Sequence, residues 1–392
     1  MEPAMSNYNN YLDHQNIDLQ PLRELIASHT APEGLPFAQA IDCQVAIYSA
    51  QQLRQKITEN PSSLRDIQSE WHWVWADGPG VLVIKGAFEV DVVDEASEAF
   101  REIIERERGT SRGDHFAKPG ANDRVWNAQE KLALLAPNLY ARYYANDMLA
   151  WACEAWMGPA YQITSQVNSV NPGGEAQVPH RDYHLGFMTP EQATRYPESV
   201  HRMSAHLTLQ SAVAHVDMPV ESGPTLLLPH SQKFSHGYLL ANTPEAHEIF
   251  AQNRVQLPLE KGDLLLFSPA LLHAAGSNVS ADIKRMANLL QISSAFGRAM
   301  ETVDRLAMSR LVYPELLELK QTGALNAQQI QHAVAATAEG YAFPTNLDRD
   351  PPIGGLAPKN QQALMLEALK AGWSIEKFSA ALDAHAERRW TS

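Results

Sequence analysis

Residues 178–187 read VPHRDYHLGF, and they place two histidines and an aspartate within five positions: His180, Asp182 and His184. In an extended chain, side chains at i and i+2 leave the same face, so all three can point one way. The question they pose is whether this is a metal-bearing strand at the core of a β-structure.

The surrounding texture favours strands. Between 161 and 298 the apolar segments are short and divided by turn residues: YQITSQVNSV, HLTLQSAVAHV, PTLLLPH, GDLLLFS and RMANLLQIS. Short strands at such spacing predict an antiparallel sandwich or barrel rather than a parallel sheet. On either side the pattern turns helical. VLVIKGAF (81–88) reads as a buried strand opened by the GPG turn at 78–80. A helix follows it, with Ala96, Phe100, Ile103 and Ile104 at helical spacing and Gly109 as its C-terminal cap. Residues 136–157 predict a second helix, in which YARYY (140–144) is the packed face and Gly158-Pro159 the stop. Helical periodicity returns in 300–322, 326–339, 359–371 and 374–388, around a loop at 348–355.

The expected fold class is therefore mainly β with helical flanks, built on a double-stranded β-helix (jelly-roll, cupin-like) core. Its parts are a polar, partly helical segment at 1–75, a helical flank at 76–160, the barrel core at 161–299 and a C-terminal helical extension at 300–392.

Composition removes several classes of function. The 392 residues hold 31 Lys and Arg against 45 Asp and Glu, a net charge of −14, with no dense basic run to follow a phosphate backbone. Nucleic acid is an unexpected partner. No basic start with an apolar core stands at the N-terminus, and no run of 18 apolar residues occurs, so neither secretion nor a membrane is expected. Cys43 and Cys153 form no CxxC or zinc pattern and fit a reducing, cytoplasmic setting. Any metal must then be held by His, Asp and Glu.

One His and one carboxylate two residues apart, joined by a distant second His, can occupy one face of an octahedral ion and leave the other face open. That suits ferrous iron that must also take a cosubstrate and dioxygen. His180 and Asp182 supply the pair. His273, in GDLLLFSPALLHAAGSNVS (262–280), is the third candidate, because it closes an apolar strand and precedes a Gly/Ser-rich turn. His230 and His236 compete with it but lack an arginine at a useful strand offset. Twelve residues after His273, Arg285 opens the next strand, where a guanidinium can grip a carboxylate through two parallel hydrogen bonds; Lys284, on the opposite face, is a point charge. Gln177 either faces the metal pocket or is a solvated turn amide. Gln210, interrupting an apolar strand, either lines a cavity or is satisfied by neighbouring backbone. His206 and His215 read as structural.

These stretches resemble the phytanoyl-CoA dioxygenase family of iron(II)- and 2-oxoglutarate-dependent oxygenases, from about residue 80 to 296. HRDYHLGF is similar to the family's HxDxH stretch, which implies iron on His180 and Asp182 and makes His184 a neighbour only. ESGPTLLLPHSQKFSH (221–236) resembles its segment ending in PGSHK, with His230 and Gln232 replacing a glycine and a histidine. HAAGSNVS with Arg285 is similar to its H-x-x-G-x-N-x-S/T and arginine, implying His273 as third ligand, Arg285 as the clamp on 2-oxoglutarate and Asn278 on the motif's asparagine. Ala275 stands where a serine often helps hold the cosubstrate.

The resemblance implies iron(II), 2-oxoglutarate and dioxygen as cofactor and cosubstrates, and hydroxylation of a C–H bond with release of succinate and carbon dioxide. Asp182 favours hydroxylation, desaturation or ring formation, since halogenating relatives lack that carboxylate. A basic residue from the region before the barrel is also implied, Lys118 or Arg124. The substrate expected is a small polar molecule, because no basic patch for an acyl-CoA's phosphates is visible. The polar segment 189–202, with Arg195, Tyr196, His201 and Arg202, is either a lid or a solvated loop. The C-terminal helices offer a homodimer surface or a lid. The competing functions are a metal-dependent isomerase or lyase, and a jelly roll that binds a small ligand without turnover.

Overall fold

Strands form where the apolar runs alternate, and their alternation divides the protein into two halves. The computed structural model describes residues 10–108 and 122–391; Gly109 and Lys118, singled out above, lie outside them. Among the described residues eleven strands run in chain order: β1 Ala40–Asp42, β2 Val45–Ser49, β3 Val81–Lys85, β4 Asn122–Val125, β5 Gln162–Val170, β6 Thr208–Ala214, β7 Leu226–Leu227, β8 Val255–Gln256, β9 Leu264–Phe267, β10 His273–Ala274 and β11 Arg285–Ser293. Eight of them make one sheet in the order β1-β2-β3-β9-β6-β11-β5-β4, and the other three a small sheet in the order β10-β7-β8. β2 and β3 pair in parallel and the remaining pairs are antiparallel, so the large sheet is mixed.

On one face of the large sheet lie Leu82, Ile84, Val167, Leu209, Val213, Leu264, Leu266, Leu290 and Ile292, in a single apolar cluster with the helices. The residues that alternate with them, Val81, Val83, Ala212, Leu265, Phe267 and Ala287, belong to a second cluster on the other face. That second face, with the small sheet, encloses the cavity described below. Each buried Leu or Ile on the helix side contributes roughly 1.5–3 kcal/mol by leaving water, which anchors the sheet whose opposite face carries polar groups.

The expectation of a mainly β protein is corrected here. The described residues hold fifteen α-helices, which together contain more residues than the strands. A sheet of short strands exposes a broad apolar face, and layers of helix from both ends of the chain cover it. The C-terminal helices Arg305–Gln321, Ala327–Thr337, Gln361–Ala371 and Ile375–Arg388 agree with the helical periodicity within a few residues. The region 136–157 is two helices, Pro137–Tyr144 and Asp147–Met157, rather than one. Asn146 breaks it: its side chain accepts the backbone N–H of Leu149 at 2.9 Å and starts the second helix as an N-cap. Ser63–Ala76, a helix that the polar N-terminal pattern did not announce, buries Trp71 and Trp75. No helix among the described residues is long and apolar enough to cross a membrane.

Asp263 clasps the start of β9 to the end of β3. Its carboxylate, 1% exposed, accepts the N–H of Gly86 at 2.9 Å, the N–H of Glu260 at 2.7 Å and the Lys85 ammonium at 2.5 Å. Asp263→Ala leaves three donors without this acceptor, and a loss of about 2–4 kcal/mol is expected in urea unfolding with little change in slope.

Candidate metal centre

The segment carrying His180 and Asp182 is extended and locked to β10 by reciprocal backbone hydrogen bonds. The His180 N–H donates to the His273 carbonyl at 2.9 Å, and the His273 N–H donates back at 3.1 Å. The Asp182 N–H donates to the Pro269 carbonyl at 3.0 Å. Side-chain alternation then turns His180 and Asp182 to the same side as His273.

The ligand atoms of His180, Asp182 and His273 all lie within 4.8 Å of one another. His180 Nε2 is 3.7 Å from Asp182 Oδ1, and His273 Nε2 is 3.5 Å from Asp182 Oδ2. Both imidazoles spend Nδ1 on backbone, His180 donating to the Val178 carbonyl and His273 to the Leu271 carbonyl, each at 2.8 Å. That fixes the tautomer with the Nε2 lone pair aimed at the common point, as a metal requires. Burial, and next the neighbouring His273, pull the His180 pKa below its ordinary value and keep the ring neutral. Burial works to raise the Asp182 pKa, but His273 and His180 beside it and the amide of Gln210 outweigh that and hold the carboxyl below the usual range. Two neutral imidazoles and one carboxylate on one side of an open cavity are the donor set of a facial metal site.

His184 does not join them. The chain leaves the extended path directly after Asp182, because Tyr183 and His184 take positive φ values of 68° and 43° and begin a 3₁₀ turn. Two such residues in sequence cost about 1–3 kcal/mol each, and the surrounding packing must enforce them.

The cavity in front of the three residues has a volume of about 470 Å³. From β6, Gln210 reaches it and donates to Asp182 Oδ2. Gln177 also lines it and accepts the Ala275 N–H through its side-chain oxygen at 3.3 Å. Arg285 enters from β11, and Arg124 from β4 donates to Gln166 Oε1 at 3.1 Å beside it. Asn278, expected among the cofactor-binding residues, is placed differently. It is fully buried, its amide donates to the carbonyls of Val170 and Ile283, and its oxygen accepts from Ser280, so it ties the turn before β11 rather than facing the cavity.

Other candidates fall away from the centre. His230 contacts Thr30 and Lys233, and Gln232 donates to the Gly78 carbonyl, so both substitutions in the PHSQ stretch face the N-terminal region. His236 pairs with Ser235, His206 stacks on Trp156, and His215 is buried between Ser97 and Tyr143. The segment 189–202 is not a structureless loop: Thr189 caps a short helix and Glu198–His206 forms another, with His201 buried against the Ala193 carbonyl and Arg202 paired to Glu198.

Arg181 is a residue that motif reading passed over. It points away from its neighbouring ligands and is 2% exposed; its guanidinium donates to the carbonyls of Phe234 and Ser231 and lies over the Tyr238 ring. It ties the ligand strand to the 231–238 loop. A Cβ on Gly237 would stand 1.7 Å from the Arg181 guanidinium carbon, so the glycine makes room for the brace. The only sequence signal was an arginine between two ligands.

The phytanoyl-CoA dioxygenase (PhyH) family matches residues 76–286, more than half of the chain, and the protein belongs to that family. Among solved structures it is similar to the non-heme α-ketoglutarate-dependent epimerase SnoN from nogalamycin biosynthesis, at 21% identity and TM-score 0.41 over 60% of this chain and 84% of that one. It is also similar to the carbocyclase SnoK from the same biosynthesis, at 18% identity and TM-score 0.44 over 59% and 86%. HygX from Streptomyces hygroscopicus, solved with nickel, 2-oxoglutarate and hygromycin B, matches at 17% identity and TM-score 0.40 over 58% and 87%. No curated protein matches the chain.

Titration with cobalt(II), followed by its visible absorption, separates these roles. His273→Ala is expected to lose most of the binding, whereas His184→Ala keeps it. Gly237→Ala, by displacing the Arg181 brace, is expected to weaken binding by about 10- to 100-fold, the usual scale for outer-shell support.

Proposed function

We propose that the protein is an iron(II)- and 2-oxoglutarate-dependent oxygenase that hydroxylates a small molecule on a jelly-roll core. His180, Asp182 and His273 hold the metal through Nε2, a carboxylate oxygen and Nε2. Arg285 carries the reading further than the triad does. It is 6% exposed, lines the same cavity, and has no carboxylate partner among the described residues. One of its terminal nitrogens donates to the carbonyls of Ser222 and Gly276, both at 3.1 Å. Burial pulls its pKa down to about 10, so it stays charged at neutral pH.

A buried guanidinium without a counter-ion costs several kcal/mol, and a ligand carboxylate in the cavity relieves that cost. An oxo diacid fits, with one end at the metal and the other at Arg285. Iron(II) and 2-oxoglutarate bound there would supply, with dioxygen as the oxidant, oxidation of a C–H bond, one oxygen atom going to the substrate and the other to the succinate that leaves with carbon dioxide. The chain's own residues bind and orient. Gln210 holds Asp182 in its ligating direction, Arg285 would fix the far carboxylate, and Phe267, its ring centroid 4.7 Å from that of His273, covers that imidazole. Asp182 occupies the position at which a carboxylate leaves no room for a halide, which supports hydroxylation or a related oxidation. An isomerase or lyase on the same triad has no use for Arg285. Cys43 and Cys153 are both free, which supports a cytoplasmic setting.

The test is an anaerobic titration with iron(II) and then 2-oxoglutarate, watching for the visible charge-transfer band of a bidentate oxo acid on ferrous iron. Wild type is expected to show the band. Arg285→Ala is expected to weaken 2-oxoglutarate binding by about 2–4 kcal/mol while iron affinity is kept. Metal binding without a band, or unchanged 2-oxoglutarate affinity in the variant, rules the oxygenase reading out.

A further inference from the structure

Most polar groups on the cavity wall have partners within the protein. Gln210 is tied to Asp182, Gln177 to Ala275, and Gln166 accepts from Arg124 while its amide nitrogen meets the Met300 sulfur at 3.3 Å. Two amides differ. Asn168 on β5 and Gln291 on β11 line the cavity and are 7% and 6% exposed, yet Asn168 Oδ1 and Gln291 Oε1 have no hydrogen-bond partner among the described residues. Gln210 Oε1 is likewise unpartnered, and Gln210 stands directly opposite Gln291 across the sheet. A half-turn of the planar amide exchanges its oxygen and nitrogen, but either orientation leaves a buried group wanting a partner. Buried side-chain atoms without a partner occur at other places in the described residues too, but Asn168, Gln210 and Gln291 are the amides among them that line this cavity.

Their spacing limits what can satisfy them. Asn168 lies opposite Ala287, four residues before Gln291 on the same strand, a separation of about 13 Å along the sheet. One small ion cannot serve both. At the mouth, Phe187 and Val178 also line the cavity and are 57% and 60% exposed, an apolar rim beside a polar wall. An aliphatic acyl chain would satisfy the rim and leave the amides unpaired, which a buried site penalises.

We infer that the oxidised substrate is a ring-bearing polar molecule whose hydroxyl or amino groups are read by Asn168 and Gln291, with one face of the ring against Phe187. This rests on the oxygenase reading above only in calling the ligand a substrate; the binding site itself stands on the two amides. Asn168 and Gln291 are specificity-determining residues in it, distinct from Arg285, which serves the oxo acid.

The experiment loads the protein with zinc(II) and 2-oxoglutarate, confirms both by calorimetry, and records saturation-transfer NMR with N-acetylglucosamine and myo-inositol against 1-hexanol and 1-octanol. The polar rings are expected to bind in the millimolar range and more tightly than the apolar probes. Asn168→Leu and Gln291→Met are each expected to weaken the polar rings at least tenfold while leaving 2-oxoglutarate affinity unchanged. Their melting temperatures should be unchanged or raised, since an apolar side chain replaces an unpartnered buried amide. No binding of either polar ring, tighter binding of an apolar probe, or equal binding by the variants overturns the inference. So does loss of 2-oxoglutarate affinity in either variant, which would assign that amide to the cosubstrate. Should the wild type fail to take up 2-oxoglutarate while the polar rings still bind through the two amides, the oxygenase reading falls and the ligand class stands.

Discussion

A pair of backbone hydrogen bonds between His180 and His273 organises the centre of this protein. The two residues lie 93 positions apart, and their N–H and carbonyl groups exchange bonds at 2.9 and 3.1 Å. Once that pairing is made, side-chain alternation alone carries Asp182 to the same side, and the Nδ1 contacts to Val178 and Leu271 orient both rings. Without it the pair His180 and Asp182 and the third ligand, His273, belong to separate segments. The brace from Arg181 ties the first segment to the 231–238 loop, and the clasp of Asp263 ties β9, which leads to the second, to β3.

The arrangement concentrates charge that the protein does not neutralise by itself. Among the described residues Arg285 meets only carbonyl oxygens, and Asn168 and Gln291 line the same cavity. Helices covering the other face of the sheet supply the apolar burial that offsets these unsatisfied groups. This division of labour between the faces explains why the helical share is larger than the strand pattern suggested. A sheet that keeps one face polar for ligands must draw its stability from the other.

How much was legible in the sequence depended on the range of the interaction involved. The C-terminal helices were readable from their periodicity and the stop near Gly158 from the residue itself, and the caps at Asn326, Asn360 and Ser374, each acting within three residues, stand within one residue of the expected starts. Asn146 used the same kind of signal within 136–157 and was overridden in the reading by continuous apolar periodicity. The triad and Arg285 were visible as a pattern of residue types, helped by the family resemblance. Asn278 shows the limit of such transfer, since its motif position is filled but its amide is spent on Val170 and Ile283.

By itself, then, the sequence determined the strand and helix texture, the choice of ligand types and the absence of a zinc-like cysteine pattern, because those follow from local spacing and chemistry. Tertiary structure decided the rest. The break at Tyr183 that removes His184, the burial of Arg285 without a counter-ion, the turn of His230 and Gln232 toward the N-terminal region, and the gathering of Asn168 with Gln291 all depend on contacts between distant segments. Period-2 alternation predicts which face a strand residue takes, but only the paired strands decide what stands opposite it.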